Sequence, residues 1–170
     1  MIAVALDPAA LRVAVAGRGE GALRRLRLLR AAGADDAKLF ADRLPARSDL
    51  AALKVLWIVG LPDDEAAELA ALARGAGALV NVEDRPALCD FHNVAEVRRG
   101  DLLLTVSTAG ASPGLAARIR AHLAEQFGPE WAERTAFIRR LRDSWREDAL
   151  PPAQIASLTD AVLRANGWLA

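Results

Sequence analysis

The sequence predicts an α/β fold in which an open parallel sheet precedes a helical C-terminal region. Three observations predict it. Short apolar runs closed by Gly or Pro recur along residues 13–107, and stretches with helical spacing lie between them. A small-residue turn joins the first run to the first helical stretch. After Ser112-Pro113 only helical spacing remains.

Val13, Ala14, Val15 and Ala16 run apolar into Gly17, as a strand buried on both faces does. Ala22, Leu23, Leu26, Leu28, Leu29 and Ala32 then recur at helical spacing up to Gly33, a C-terminal stop. Residues 38–41 are a second strand. Residues 54–59 form the clearest strand, closed by Gly60 and Pro62, and Asp63 is placed to N-cap the Ala/Leu-rich helix that runs to about Arg74. Residues 79–82 and 102–107 are two further strands of the same parallel sheet. Ser112 as N-cap and Pro113 in the first turn open a helix to about Phe127. Two more helices cover about 130–147 and 151–166, separated by Pro151-Pro152. The division is a sheet domain over residues 1–108 and a helical region over 109–170. That region is too thin to bury both its faces alone, so a homodimer is expected.

The 170 residues carry 22 Lys+Arg and 22 Asp+Glu, a net charge of zero with no basic block. This gives no footprint for nucleic acid. Cys89 is the lone cysteine, which excludes an internal disulfide and a cysteine-rich metal site. No apolar run approaches the ~20 residues of a membrane span, and Asp7-Pro8 interrupts the apolar start too early for a signal peptide. The chain reads as soluble and cytoplasmic, with no membrane partner.

Gly17-Arg18-Gly19-Glu20-Gly21-Ala22 matches G-x-G-x-x-A between a strand and a helix, the arrangement of a Rossmann-like NAD-binding sheet. Gly17 allows the tight turn, Gly19 lets backbone approach a pyrophosphate, and Ala22 permits close helix–strand packing. Arg18 and Glu20 lie at the helix N-terminus, whose free N–H groups attract phosphate. Asp42, about 20 residues on, is placed for the ribose hydroxyls and favours NAD over NADP. Arg43 beside it leaves that preference open.

A second constellation follows. Val80-Asn81-Val82-Glu83-Asp84 leads to Leu88-Cys89-Asp90-Phe91, then to Val106-Ser107-Thr108-Ala109-Gly110-Ala111-Ser112-Pro113. With the glycine turn, these residues resemble the siroheme synthase dehydrogenase family, comprising precorrin-2 dehydrogenases, some of which are also sirohydrochlorin ferrochelatases. The family pattern is a glycine turn, V-N-V-x-D, L-C-D-F and V-S-[ST]-x-G-x-S-P before a helix, and the likeness covers about residues 13–123.

The resemblance implies an oxidoreductase of siroheme (porphyrin) biosynthesis that oxidises the tetrapyrrole precorrin-2 to sirohydrochlorin with NAD as hydride acceptor. It implies a general base at Asp84, also the chelatase residue, and cofactor contacts at Asn81 and at the loop opened by Gly60. The loop with Thr108 and Ser112 suits an anionic carboxylate, and Arg98 and Arg118, with Arg99 and Arg120, are candidates for the eight carboxylates of the substrate. Cys89, Asp90 and Phe91 read as structural, His92 as a weak metal or proton candidate, and no metal-ligand residue is assigned. Arg18 stands where the family commonly has glycine, and Gly60-Leu61-Pro62-Asp63 lacks the family's threonine. These departures favour an alternative reading, a non-catalytic carrier or sensor that binds NAD or tetrapyrrole on the same fold.

Overall fold

A computed structural model describes residues 2–169, which divide into two compact units at Asn93/Val94. The first holds strands β1 (Val13–Gly17), β2 (Lys38–Phe40), β3 (Val55–Val59) and β4 (Leu79–Val82), all parallel, in the order β2-β1-β3-β4. Helices α1 (Gly19–Ala31), α2 (Arg47–Leu50) and α3 (Asp63–Gly75) connect them.

β1 and β3 are buried along their whole length, which explains their unbroken apolar runs. Their side chains alternate between two cores. Val13, Val15, Val55, Trp57 and Val59 pack with Ala22, Leu26 and Leu29 of α1. Ala14, Ala16, Leu56 and Ile58 pack with Leu50, Ala66, Leu69, Ala70 and Ala73 of α2 and α3. Each fully buried Leu or Ile in these cores contributes about 2 kcal/mol of transfer free energy. The chain leaves β1 toward β2 and returns on the opposite side to β3. The crevice at the carboxyl ends of β1 and β3 is therefore the topological switch point, where open α/β sheets bind ligands.

Helix α1 stops as the sequence predicts. Gly33 (φ +100°) donates to the Arg30 carbonyl and Ala34 N donates to Leu29, a Schellman closure. The start of α3 differs from expectation. Pro62 is the N-cap and Asp63 the first helical residue, and the Asp63 carboxylate pairs with Arg85 instead of capping the helix.

The second unit begins with β5 (Ala95–Arg99) and β6 (Leu102–Val106). They pair antiparallel with Arg99 opposite Leu102. The run at 102–107 therefore does not extend the parallel sheet. Its connection to β5 is only Gly100 (φ +56°) and Asp101, a hairpin turn, whereas a parallel pair needs a long crossover. The hairpin belongs with the helices, so the boundary between units falls before it and not near residue 108.

Helices α4 (Pro113–Gln126), α5 (Trp131–Glu147) and α6 (Pro152–Ala165) follow close to their expected bounds. Ser112 Oγ accepts from Leu115 N at 3.2 Å, the expected cap. Arg99 donates to the carbonyls of Phe127 (2.9 Å) and Ala124 (3.3 Å) and so covers the C-terminal end of α4. Among the described residues no helix is long and apolar enough to cross a membrane.

Candidate functional site

The glycine turn is built by backbone contact with the loop after β3. Gly17 has φ +150°, and a Cβ there would lie 1.7 Å from the carbonyl oxygen of Val59. That same oxygen accepts from Arg18 N at 3.2 Å. On the other side of the clasp, Gly60 has φ +66°, and its Cβ would lie 2.8 Å from the Arg18 carbonyl oxygen. Glycine is thus required at both positions for β1 and β3 to close together. Gly19 is different: its φ of +75° demands glycine, but nothing lies within 4 Å of a Cβ built there. The space over the start of α1 is open to a ligand. Ala22 is buried against β1 and β3 and lets the helix approach closely.

Arg18, Gly21, Val59, Gly60, Leu61, Glu83, Asp84 and Arg85 line one cleft of about 430 Å³ at this crevice. Of the predicted site residues, Arg18, Gly60 and Asp84 meet there. Asp84 immediately follows Glu83 at the carboxyl end of β4 and is exposed, with φ +62°, a left-handed conformation that non-glycine residues rarely adopt. Glu83 N is tied to Ile58 O at 2.9 Å and Arg85 N to Val82 O at 3.2 Å, which fixes the turn on both sides of it. Among the described residues the Asp84 carboxylate has no hydrogen bond or ion pair, so it is available to a ligand or a proton. A left-handed residue with a free carboxylate in a cleft makes Asp84 a candidate functional group.

The charges on either side of Asp84 are held. Glu83 pairs with Arg24 (3.5 Å) and Arg25 (3.7 Å) of α1. Arg85 pairs with Asp63 and donates to Leu61 O at 3.0 Å. These pairs tie the end of β4 to α1 and to the start of α3. Sequence reasoning missed Glu83 and Arg85, although their places on either side of Asp84 marked them.

Other predicted residues are placed differently. The Glu20 carboxylate pairs with Arg27 along α1, so only its backbone remains for a phosphate. Asn81 is buried, and its side chain is engaged within the chain. Its Nδ2 donates to Phe91 O at 2.8 Å, and its Oδ1 accepts from Asn93 Nδ2 at 2.9 Å. Asn93 Oδ1 in turn accepts from Trp57 Nε1 at 2.9 Å. Asn81 thus anchors the segment after β4. The exposed edge of β4 is covered by that same segment. Val80 N donates to Asp90 Oδ2 at 2.9 Å, Val82 N to Cys89 Sγ at 3.2 Å, and Arg74 braces Asp90 at 2.7 Å. Cys89 and Asp90 therefore satisfy the outward N–H groups of an edge strand. Phe91 packs edge-on against Trp57 at 5.2 Å.

Asp42 lies two residues past Phe40, which is paired with Ala16, so it follows the carboxyl end of β2 beside β1. It is exposed, with no partner among the described residues. Arg43 is held by Asp49 at 2.7 Å and stacks over Phe40 at 5.4 Å. The Arg43 guanidinium, with Ala46 N, holds the Asp49 carboxyl below the usual carboxylate range. Asp42 is thus the uncommitted charge at this end.

Arg98, Thr108, Ser112 and Arg118 all belong to the second unit. Thr108 Oγ1 accepts from Ser112 N (3.1 Å) and donates to Ser112 O (3.0 Å), and Ala109 sits at φ +53°. The loop before α4 is therefore closed on itself. Arg98 reaches Glu96 at 3.5 Å, and Arg118 is exposed on α4. His92 is exposed, and among the described residues no group of three His, Cys, Asp or Glu stands together as a metal site.

Residues 4–95 match the family described as "Putative NAD(P)-binding" (NAD_binding_7), and residues 99–126 match "Sirohaem biosynthesis protein central". The siroheme synthase of Ectopseudomonas mendocina (strain ymp) is 34% identical over 77% of this chain and 32% of its own length. That of Stutzerimonas stutzeri (strain A1501) is 32% identical over 93% of this chain and 41% of its own length. The chain thus spans well under half of these relatives. A solved structure of SirC, a precorrin-2 dehydrogenase, shares the fold with a TM-score of 0.74 at 22% identity, covering 100% of this chain and 93% of that one.

Proposed function

Because this chain belongs to the siroheme synthase family of NAD(P)-binding proteins, we propose that it is a precorrin-2 dehydrogenase using NAD, with the first unit holding the cofactor and the second serving dimerisation and substrate. The observation that carries this reading is Asp84: a left-handed, unpaired carboxylate in the same cleft as the glycine turn.

The residues fit a dinucleotide. Gly19 leaves open space over the N–H groups that begin α1, and Asp42 is free for ribose hydroxyls. Bound NAD would supply hydride acceptance from the macrocycle. The chain's own part is to accept the accompanying proton, and Asp84 is the group placed to do so. Glu83 and Arg85, held by their ion pairs, keep the Asp84 turn rigid while the substrate docks. The free carboxylate of Asp42, with Arg43 committed to Asp49, supports NAD over NADP. Arg98, Arg118 and the Thr108–Ser112 loop are our candidates for the substrate's carboxylates. Leu115 and Ile119, one turn apart on α4, are 54% and 39% exposed, which supports a homodimer. A cytoplasmic site of action accords with this chemistry.

Incubating the protein with precorrin-2 and NAD, then NADP, with and without Fe²⁺, tests the reading through the visible spectrum. Sirohydrochlorin formation with NAD supports it, and iron-dependent change beyond that reveals chelatase activity. The alternative is a non-catalytic carrier, favoured by Arg18 in the glycine turn and by Asp63 being tied to Arg85. It predicts binding of NAD or sirohydrochlorin without turnover.

A further inference from the structure

Arg18 is the one charged side chain between the two glycines of the turn, and its only ion pair among the described residues is with Glu65. Glu65 stands in the first turn of α3, beside Asp63 and Asp64. The two groups are 4.0 Å apart, with side chains 55% and 37% exposed. A pair this long and this wet is weak, and the guanidinium exchanges it readily for a better anion. The better anion has a place at hand. Arg18 lines the same cleft as Gly21 and Gly60, and its own backbone forms the clasp that fixes where α1 begins. A diphosphate over Gly19 would meet the helix N-terminus and this guanidinium together, and guanidinium–phosphate contacts are among the stronger charge-assisted hydrogen bonds.

We infer that Arg18 is a phosphate clamp held in reserve by Glu65, and that the competition between Glu65 and the cofactor diphosphate sets cofactor affinity. This rests on the cofactor reading above and adds a residue to it. Glu65 is an affinity-setting residue that need not touch the cofactor. Its effect is transmitted through Arg18, because a Glu65 that only repelled phosphate directly would act equally with or without the arginine.

A double-mutant cycle on NADH binding tests this, with R18A, E65Q and the double variant titrated by NADH fluorescence at low and at near-physiological ionic strength. Neither side chain is buried, at 55% and 37% exposed, so the variants should melt with the parent. R18A should weaken binding about tenfold and flatten its salt dependence. E65Q should tighten binding about two- to fivefold, and that gain should vanish in the R18A background. R18K should recover part of the loss. Equal tightening by E65Q in both backgrounds, or an R18A protein that binds NADH as well as the parent, would overturn the clamp while leaving the cofactor reading intact. A parent protein that binds no NADH would overturn both.

Discussion

Gly17 and Val59 touch through their backbones so closely that a Cβ on Gly17 would lie 1.7 Å from the Val59 carbonyl oxygen. This contact joins β1 to β3 at the switch point of the sheet and sets the origin of α1. Gly17→Ala therefore cannot be absorbed by a side-chain shift. It should destabilise the first unit by more than about 2 kcal/mol, measured as a lowered urea midpoint. Gly19→Ala meets no neighbour and should cost less stability, through its positive φ alone, while weakening NADH binding.

Asp84 should show stability and activity moving in opposite directions. Its φ of +62° is one that glycine adopts without penalty. Asp84→Gly is expected to hold or raise stability, by up to about 1 kcal/mol, and to abolish turnover. Thermal melts set beside the precorrin-2 assay check both halves. A marked drop in melting temperature would show that the carboxylate is structural.

The strap over the β4 edge should behave as a stability element. Asp90→Ala removes the acceptor of Val80 N and the partner of Arg74 together. A loss of about 1–3 kcal/mol is expected, seen in denaturant unfolding. Cys89→Ser keeps a hydrogen-bonding group and should cost less than Cys89→Ala.

Asp49 offers a pH test in α2. Its carboxyl is held below its ordinary value of 3.8, first by the Arg43 hydrogen bond and then by that of Ala46 N. A lowered folded-state value contributes stability that is present above the unfolded value and lost as pH falls through the folded one. Carbon-detected NMR should place the Asp49 midpoint below 3.8 in the parent and move it upward in Arg43→Ala. Asp49→Asn should remove its share of the acid-side loss of stability.

The centre of the parallel sheet was legible because β1 and β3 are buried on both faces and run into Gly17 and Gly60, and the last three helices because Ser112-Pro113 and Pro151-Pro152 punctuate them. The β5–β6 hairpin was not, since Glu96, Arg98 and Arg99 disguise a strand of which only Val97 is buried. The glycine turn was legible as a tight joint between a strand and a helix. The anchoring role of Asn81 was not legible, because a polar residue at a strand end looks the same whether it faces a ligand or holds a neighbouring segment. Only the partners at Phe91 and Asn93 distinguish the two. Glu83–Arg24 and Arg85–Asp63 join residues 59 and 22 positions apart, a separation no local pattern reveals.

In the proposed reaction Asp84 takes the proton while the glycine turn holds the hydride acceptor. Its most direct test is turnover of precorrin-2 with NAD by the parent and by Asp84→Ala, with NADH binding followed on both. The parent should form sirohydrochlorin and the variant none or nearly none, with NADH affinity unchanged between them. An Asp84→Ala protein that turns over at the parent's rate would contradict it.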